Sequence, residues 1–308
     1  MRLEKNKIGW FVHDLDYENV SGAEILKLVG DDKLLIVKNK KPVEPELLGK
    51  LYRKLGHVAV QNKKVGSALP GYPFICRVNQ KTGMFHTRGR ADRLLGWHNA
   101  MMSTWNGDNV LAMYMHIQDC EGGHTGFTDQ ALVYHRLPRE VKNQLRDLVA
   151  ENYLYRPQKT DDEHYGETGF FSTLGGNKAE WGSNYKGAAG KVVVKETQLK
   201  QMKIVTKHPI SGRLGLYTPG FENVIRKFQG MEQEESTKLL KWIRDFSLQE
   251  EFIYWHDWDD YDLVINDQLH GYHCRVPYKG ERELWRSTMC IHDVIDGAPL
   301  DYYEKNVA

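Results

Sequence analysis

Glu251-Phe252-Ile253-Tyr254-Trp255-His256, Asp262-Leu263-Val264-Ile265 and Leu284-Trp285-Arg286-Ser287-Thr288-Met289-Cys290-Ile291 are three short runs divided by polar turns. Their apolar, β-branched and aromatic content reads as strand, and several short strands at close intervals point to a sandwich or barrel. Working outward, Ile8 to Val12 and Leu34 to Val37 read as further short strands, and Asn109 to Ile117 is apolar enough for a buried one. Helices are fewer. Pro45 to Leu55 sets Leu47, Leu48, Leu51 and Leu55 at helical spacing. A helical region runs from about Asp129 to Glu151, interrupted near Pro138. Ser236 to Phe246 is amphipathic, with Ser236 as its cap and Leu239, Leu240, Ile243 and Phe246 on one face. The pattern predicts a mainly β chain with helical supports, a double-stranded β-helix or jelly roll.

The 308 residues are 41% hydrophobic and 27% charged, enough for one large core, and the expectation is a single domain over 1–308. A net charge of +1 gives no electrostatic case for a nucleic-acid or membrane-surface partner. No apolar run approaches a membrane span, and the polar Met1-Arg2-Leu3-Glu4-Lys5-Asn6-Lys7 lacks the apolar core of a signal peptide. Cys76, Cys120, Cys274 and Cys290 show no zinc-type spacing and read as reduced thiols of a cytoplasmic protein. Oligomeric state is not readable. The segment 157–190 stands apart: it is polar, with glycines at 166, 169, 175, 176, 182, 187 and 190, and with Tyr165, Phe170, Phe171, Trp181 and Tyr185 interspersed. Long loops of this kind are lids or plain surface insertions, and the aromatic residues favour a lid.

The chemistry-bearing patterns come in order. Gly96-Trp97-His98-Asn99-Ala100 is followed by Gly122-Gly123-His124-Thr125, then by His208-Pro209-Ile210-Ser211-Gly212-Arg213 and Leu216-Tyr217. Asp267-Gln268-Leu269-His270-Gly271-Tyr272-His273 and Arg282-Glu283-Leu284-Trp285-Arg286-Ser287-Thr288 complete the series. From about residue 90 to 292, leaving out 157–190, this resembles the taurine dioxygenase family of Fe(II)/2-oxoglutarate enzymes, whose fold is a cupin-like jelly roll. The resemblance implies His98 and His273 as iron ligands, and Thr125 with Arg282 as holders of the distal carboxylate of 2-oxoglutarate. Arg286, four residues on and on the same face of a strand, would then meet an acidic group of the substrate near the iron. A guanidinium suits a carboxylate because it donates two parallel hydrogen bonds while staying charged. The loop from His273 to Arg282 is slightly shorter than is usual in the family, so the two arginine roles can also be exchanged. His270 is the competitor for the distal ligand. Three residues from His273, it would face the other way on a strand, and the family's spacing from Asp267 selects His273. His116, His124, His135, His208, His256 and His292 read as ordinary hydrogen-bonded core or surface residues, Trp97 as core packing, and Tyr254 to Trp258 as a strand end without chemistry.

Ala100 is the departure. Non-heme Fe(II) oxygenases hold iron with two histidines and one carboxylate, and in His-x-Asp/Glu on a strand both side chains point to one face. A methyl group at 100 leaves one coordination position open and one negative charge missing, and chloride or bromide supplies both. Ala or Gly in place of the acid is what Fe(II)/2-oxoglutarate halogenases look like. The resemblance therefore implies a halogenase using Fe(II), 2-oxoglutarate, O2 and chloride (or bromide). An iron(IV)-oxo species with halide beside it would chlorinate an unactivated aliphatic carbon of a small molecule, such as a free amino acid or another acidic metabolite. Three alternatives stand beside it. Asp108 or Asp119 could supply the acid; the chain could be a hydroxylase or desaturase; or it could bind metal and 2-oxoglutarate without turnover.

Overall fold

A computed structural model describes residues 2–58, 68–79, 91, 94–99, 108–152, 185–186, 191–192, 200–221 and 225–291. The large sheet runs β1 (Arg2–Lys5), β2 (Gly9–His13), β3 (Leu34–Lys38), β18 (Leu263–Asp267), β8 (Asp108–Gly122), β20 (Tyr278–Cys290), β6 (Tyr72–Val78), β5 (Ala68–Leu69). A two-residue β4 (His57–Val58) also pairs with β20. The small sheet runs β17 (Ile253–His256), β9 (Thr125–Asp129), β19 (Gly271–Arg275), β7 (Leu95–His98). Three minor pairings complete the strands: β10 (Val149–Asn152) between β13 (Lys200–Lys203) and β16 (Ile225–Phe228); β14 (Val205–Lys207) with β15 (Leu214–Leu216); and β11 (Tyr185–Lys186) with β12 (Lys191–Val192). The mainly β jelly roll expected from the sequence is the fold observed.

Alternation along the central strands explains why they are apolar on both sides. In β8, Leu111, Met113 and Met115 face the space between the sheets, where they meet Phe127 and Trp258. Val110, Ala112 and Tyr114 face the other way, into a core with Ile25, Val29, Leu48, Leu51 and Leu55 from two covering helices. Leu34 and Ile36 against Leu35 and Val37 in β3, and Leu284 against Trp285 in β20, divide in the same manner. Full burial of each such side chain stabilises the fold by about 1.5–3 kcal/mol. The covering helices are Gly22–Asp32 and Pro45–Leu55. The first, which the sequence reading left unassigned, is capped by the Ser21 hydroxyl accepting from Glu24 N and links the parallel pair β2–β3. No helix among the described residues is long and apolar enough to cross a membrane.

Two expectations need correction. The helical region after Asp129 consists of Gln130–Arg136 and Arg139–Leu145, broken at Pro138, but it does not reach Glu151. Val149–Asn152 is the middle strand of a sheet with partners at 200–203 and 225–228, so long-range pairing overrides local helix preference there. The amphipathic helix spans Gln233–Ser247 and starts before Ser236. Ser236 is fully buried, and its hydroxyl accepts a hydrogen bond from Phe228 N instead of capping. The segment 157–190 lies outside the described residues apart from Tyr185–Lys186, so its role as a lid stays an expectation.

The turn leading into β19 is held by buried charge. Asp267 Oδ1 accepts from Leu269 N (3.1 Å) and lies 3.2 Å from His208 Nε2; Oδ2 accepts from His270 N (2.8 Å) and lies 3.5 Å from Lys33 Nζ. Burial alone would raise the Asp267 pKa, but Lys33 and His208 outweigh it and hold the carboxyl well below the usual range. The His208-to-Arg213 turn closes on itself through Gly212 N to His208 O (2.9 Å), and Arg213 reaches the Asp129 carboxylate at 3.3 Å. Asp267→Ala leaves Lys33, which has no exposed side-chain surface, without its carboxylate. We expect a loss of about 3–5 kcal/mol in denaturant unfolding at neutral pH. Because the folded-state pKa is depressed, that loss is complete above the ordinary carboxylate pKa of about 3.9 and shrinks as pH falls below it.

Candidate active site

β7 and β19 are antiparallel neighbours, and their register sets His98 directly opposite His273. The two rings lie 4.2 Å apart, centroid to centroid. Both point into the space between the sheets: the His273 ring lies 6.3 Å from Phe127, a residue of the inter-sheet core. The alternate residues point outward. Trp97 leans on Trp255 at 5.9 Å, and Tyr272 packs with Val133 and Phe252 beyond the small sheet. Between these two tryptophans Gly126 is required, since a Cβ there would stand 2.7 Å from each ring.

Both imidazoles are buried and held neutral. Burial, with Arg286 adding to it, pushes His98 down to about 3, although the contact with Gly96 O opposes the shift. Burial, the neighbouring His98 and Arg286 push His273 well below its ordinary value. His98 Nδ1 lies 2.6 Å from Gly96 O, a carbonyl that can only accept, so that nitrogen carries the proton and Nε2 keeps its lone pair. His273 Nδ1 is buried without a hydrogen-bond partner. Two neutral imidazoles side by side, one fixed through its far nitrogen, are able to donate two of the ligands of a divalent metal such as iron. Among the described residues no third His, Cys, Asp or Glu converges on them. Asp119 is exposed on β8 opposite Glu281, far along the strand from Arg286 opposite Met113, so it does not supply the acid. Asp108 pairs with Cys290, and its side chain, like Ala100, lies outside the described residues.

His270 is excluded by placement. It is fully buried behind β19, with Nε2 2.9 Å from Thr206 Oγ1 and its ring 5.7 Å from His208. The other histidines read as ordinary behave so where described: His256 lies 3.2 Å from Asp262, His124 lies 3.0 Å from Asp257, and His116 stacks on Trp285 at 4.1 Å. Asn99 donates from Nδ2 to Gln268 O at 2.8 Å. It thereby ties the end of the His98 strand to the turn before the His273 strand.

A second group of residues lies further along the same interior face. Thr125 and Arg282 are buried, and Arg282 shares its face of β20 with Leu284 and Arg286 by alternation. Thr125 Oγ1 accepts from Trp258 Nε1 at 2.8 Å, and the Arg282 guanidinium lies 5.9 Å from the Trp258 ring. Trp258 therefore joins the two sequence-predicted residues, a role no local pattern around Tyr254 to Trp258 announced. The backbone from β8 to β9 passes over Arg282 at Gly122 and Gly123, both at positive φ; a Cβ on Gly123 would come within 3.3 Å of Arg282 Nε. That Nε is buried without a hydrogen-bond partner, and burial together with Arg275 lowers the guanidinium to about 10. A buried guanidinium without a carboxylate partner among the described residues, sharing Trp258 with a threonine hydroxyl, has the chemistry to take an anion.

Comparison with known proteins bears on the family and the fold. The chain is 29% identical over 168 residues to the (S)-phenoxypropionate/alpha-ketoglutarate-dioxygenase of Sphingobium herbicidovorans, covering 54% of this chain and 52% of that one. The match thus spans about half the length of that curated relative. Its fold is similar to a taurine dioxygenase from Burkholderia xenovorans (TM-score 0.69, 16% identity, 98% of this chain and 97% of that chain). It is also similar to AAD-2 in complex with Mn(II) and N-oxalylglycine (TM-score 0.65, 18% identity, 94% of this chain and 97% of that chain). At such identities the structural likeness shows the fold alone. The sequence profile of the taurine catabolism dioxygenase TauD, TfdA family matches residues 9–288, nearly the whole length, and the chain belongs to that family.

Proposed function

We propose that the chain is an Fe(II)/2-oxoglutarate-dependent oxidoreductase acting on a small molecule, and that Ala100 makes its oxidative outcome halogenation of an aliphatic carbon. The observation that carries the reading is the His98–His273 pair, buried, neutral and in register, with Ala at 100 and no third ligand among the described residues. When bound, iron with 2-oxoglutarate and O2 supplies an oxidant able to take a hydrogen atom from an unactivated carbon. The protein's own work is placement. His98 and His273 hold the metal on the inner face of the small sheet. Thr125 and Arg282 hold the distal carboxylate of 2-oxoglutarate. Two residues along a strand span about 7 Å, a length comparable to that of the short dicarboxylate. Arg286, whose charge acts on both imidazoles, holds an acidic group of the substrate near the metal. The methyl group at 100 leaves space and a charge deficit for chloride or bromide.

The hydroxylase reading has one specific support, the dioxygenase named as a relative. An anaerobic optical titration with Fe(II) and 2-oxoglutarate, with and without chloride, separates the two. We expect the iron-to-2-oxoglutarate charge-transfer band to shift or strengthen with chloride. A band indifferent to chloride and bromide supports hydroxylation, and no band at all removes the metal reading.

A further inference from the structure

Thr125 and Arg282 flank one indole. Trp258 is 4% exposed and lies just past the end of β17, whose last residue, His256, stands opposite Thr125 on β9. Its Nε1 lies 2.8 Å from Thr125 Oγ1, and the Arg282 guanidinium lies 5.9 Å from its ring. An indole N–H can only donate, whereas a hydroxyl carries one hydrogen and two lone pairs. Thr125 Oγ1 is therefore the acceptor, and its own hydrogen has to point away from Trp258.

The indole is held in place. Its ring packs edge-on against His256 at 4.6 Å and belongs to the inter-sheet core with Phe127 and Leu284. The turn that follows is pinned from several sides. Lys38 Nζ reaches Asp259 Oδ2 at 2.6 Å and Asp262 Oδ2 at 2.7 Å. Gln118 N donates to Asp260 Oδ1 at 2.7 Å, and Tyr261 N donates to Met115 O at 2.8 Å. Packing and turn together fix where the indole N–H points. An ionised carboxylate only accepts hydrogen bonds. A hydroxyl that already accepts from Trp258 has its hydrogen left for such a group, and donation into its oxygen polarises the O–H bond and strengthens the next hydrogen bond. A carboxylate taken between Thr125 and Arg282, whose Nε is buried without a partner, would complete a chain from indole N–H to hydroxyl to carboxylate.

We propose that Trp258 is a positioning residue of the cosubstrate site. Through its hydrogen bond to Thr125 it sets that hydroxyl as a donor, and so raises the preference for a 2-oxo acid with an anionic tail. This rests on the reading of Thr125 and Arg282 as holders of the distal carboxylate of 2-oxoglutarate. An uncharged tail that accepts no hydrogen bond gains nothing from an oriented donor, so the effect of Trp258 is confined to the carboxylate.

The test is calorimetric binding to the Fe(II)-loaded enzyme under anaerobic conditions, with 2-oxoglutarate and with 2-oxovalerate, which has a methyl group where the distal carboxylate would be. Trp258→Phe keeps an aromatic ring in the core and removes the N–H. In it, 2-oxoglutarate binding should weaken by about three- to tenfold, the worth of one hydrogen bond, while 2-oxovalerate changes by less than about twofold. In a Thr125→Val background the same substitution should change 2-oxoglutarate binding by less than about twofold, because the hydroxyl it acts through is gone. Unchanged 2-oxoglutarate affinity in Trp258→Phe, equal losses for both acids, or an equal loss with and without the Thr125 hydroxyl overturns the role of Trp258 and leaves it as core packing. Thr125→Val and Arg282→Gln by themselves tell the two readings apart. If they reduce the preference for 2-oxoglutarate, the cosubstrate site stands even where Trp258→Phe fails its test. If they keep it, that site lies elsewhere and the proposal falls with it.

Discussion

In His273→Ala, Fe(II) binding is expected to weaken by at least about a hundredfold, and the charge-transfer absorption with 2-oxoglutarate to vanish. Loss of a residue that merely supports a metal ligand costs 10–100-fold in affinity, and here a ligand itself is removed from a set of two. His98 alone then faces the cavity, with no third His, Cys, Asp or Glu converging among the described residues. His270→Ala is the matched control. That imidazole is as deeply buried, but it points away from His98 towards Thr206, so its removal should lower stability and leave Fe(II) affinity within a few-fold. Equilibrium binding of Fe(II) to both variants, with unfolding curves alongside, checks the pair. Retained affinity in His273→Ala with loss in His270→Ala would reassign the distal ligand.

Ala100→Asp is expected to abolish chlorination and give a hydroxylated product in its place. A carboxylate two residues beyond His98 occupies the position left open by the methyl group, and its negative charge opposes entry of a halide. The reaction is followed by mass spectrometry of the product with chloride and with bromide present. Chlorination at the native rate in the variant would show that Ala100 is not where the halide sits. Ala100→Gly, which opens the same position without adding charge, should keep the native outcome.

Much of the candidate site could be proposed from the chain because the resemblance that implies it rests on short local motifs. His98 lies in a four-residue strand, and the face on which Trp97 sits follows from period-2 alternation. The same alternation sets His273 apart from His270 and puts Arg282 and Arg286 together. The central strands were legible because burial on both faces makes them continuously apolar. What escaped depends on register between distant segments. Trp258 meets Thr125 only because β17 pairs with β9 at one particular offset. Asn99 reaches Gln268 across 169 positions of sequence. Val149–Asn152 looks helical by its own residues and becomes a strand through partners about fifty or more positions away in sequence. The Asp267, His208 and Lys33 contact was half visible: the motif residues stood out, but nothing local marked Lys33 as their buried counter-ion.

The strand order of the large sheet has a consequence for how the molecule is made. β3, near the start of the chain, is hydrogen-bonded on one side to β18, and β8 lies between β18 and β20. The centre of the sheet therefore has no partners until residues 263–290 have left the ribosome. At 5–20 residues per second, the wait between residue 38 and residue 263 is about ten to fifty seconds. Throughout it β3, and β8 once residue 122 has been added, expose strand edges and apolar faces of the kind that recruit other chains. The helix from Gly22 to Asp32, folded back on the parallel pair β2–β3, can cover part of that surface early. The last described strands to emerge are also those that carry His273, Arg282 and Arg286, so a chain stalled short of them lacks both the middle of its sheet and half of its candidate site.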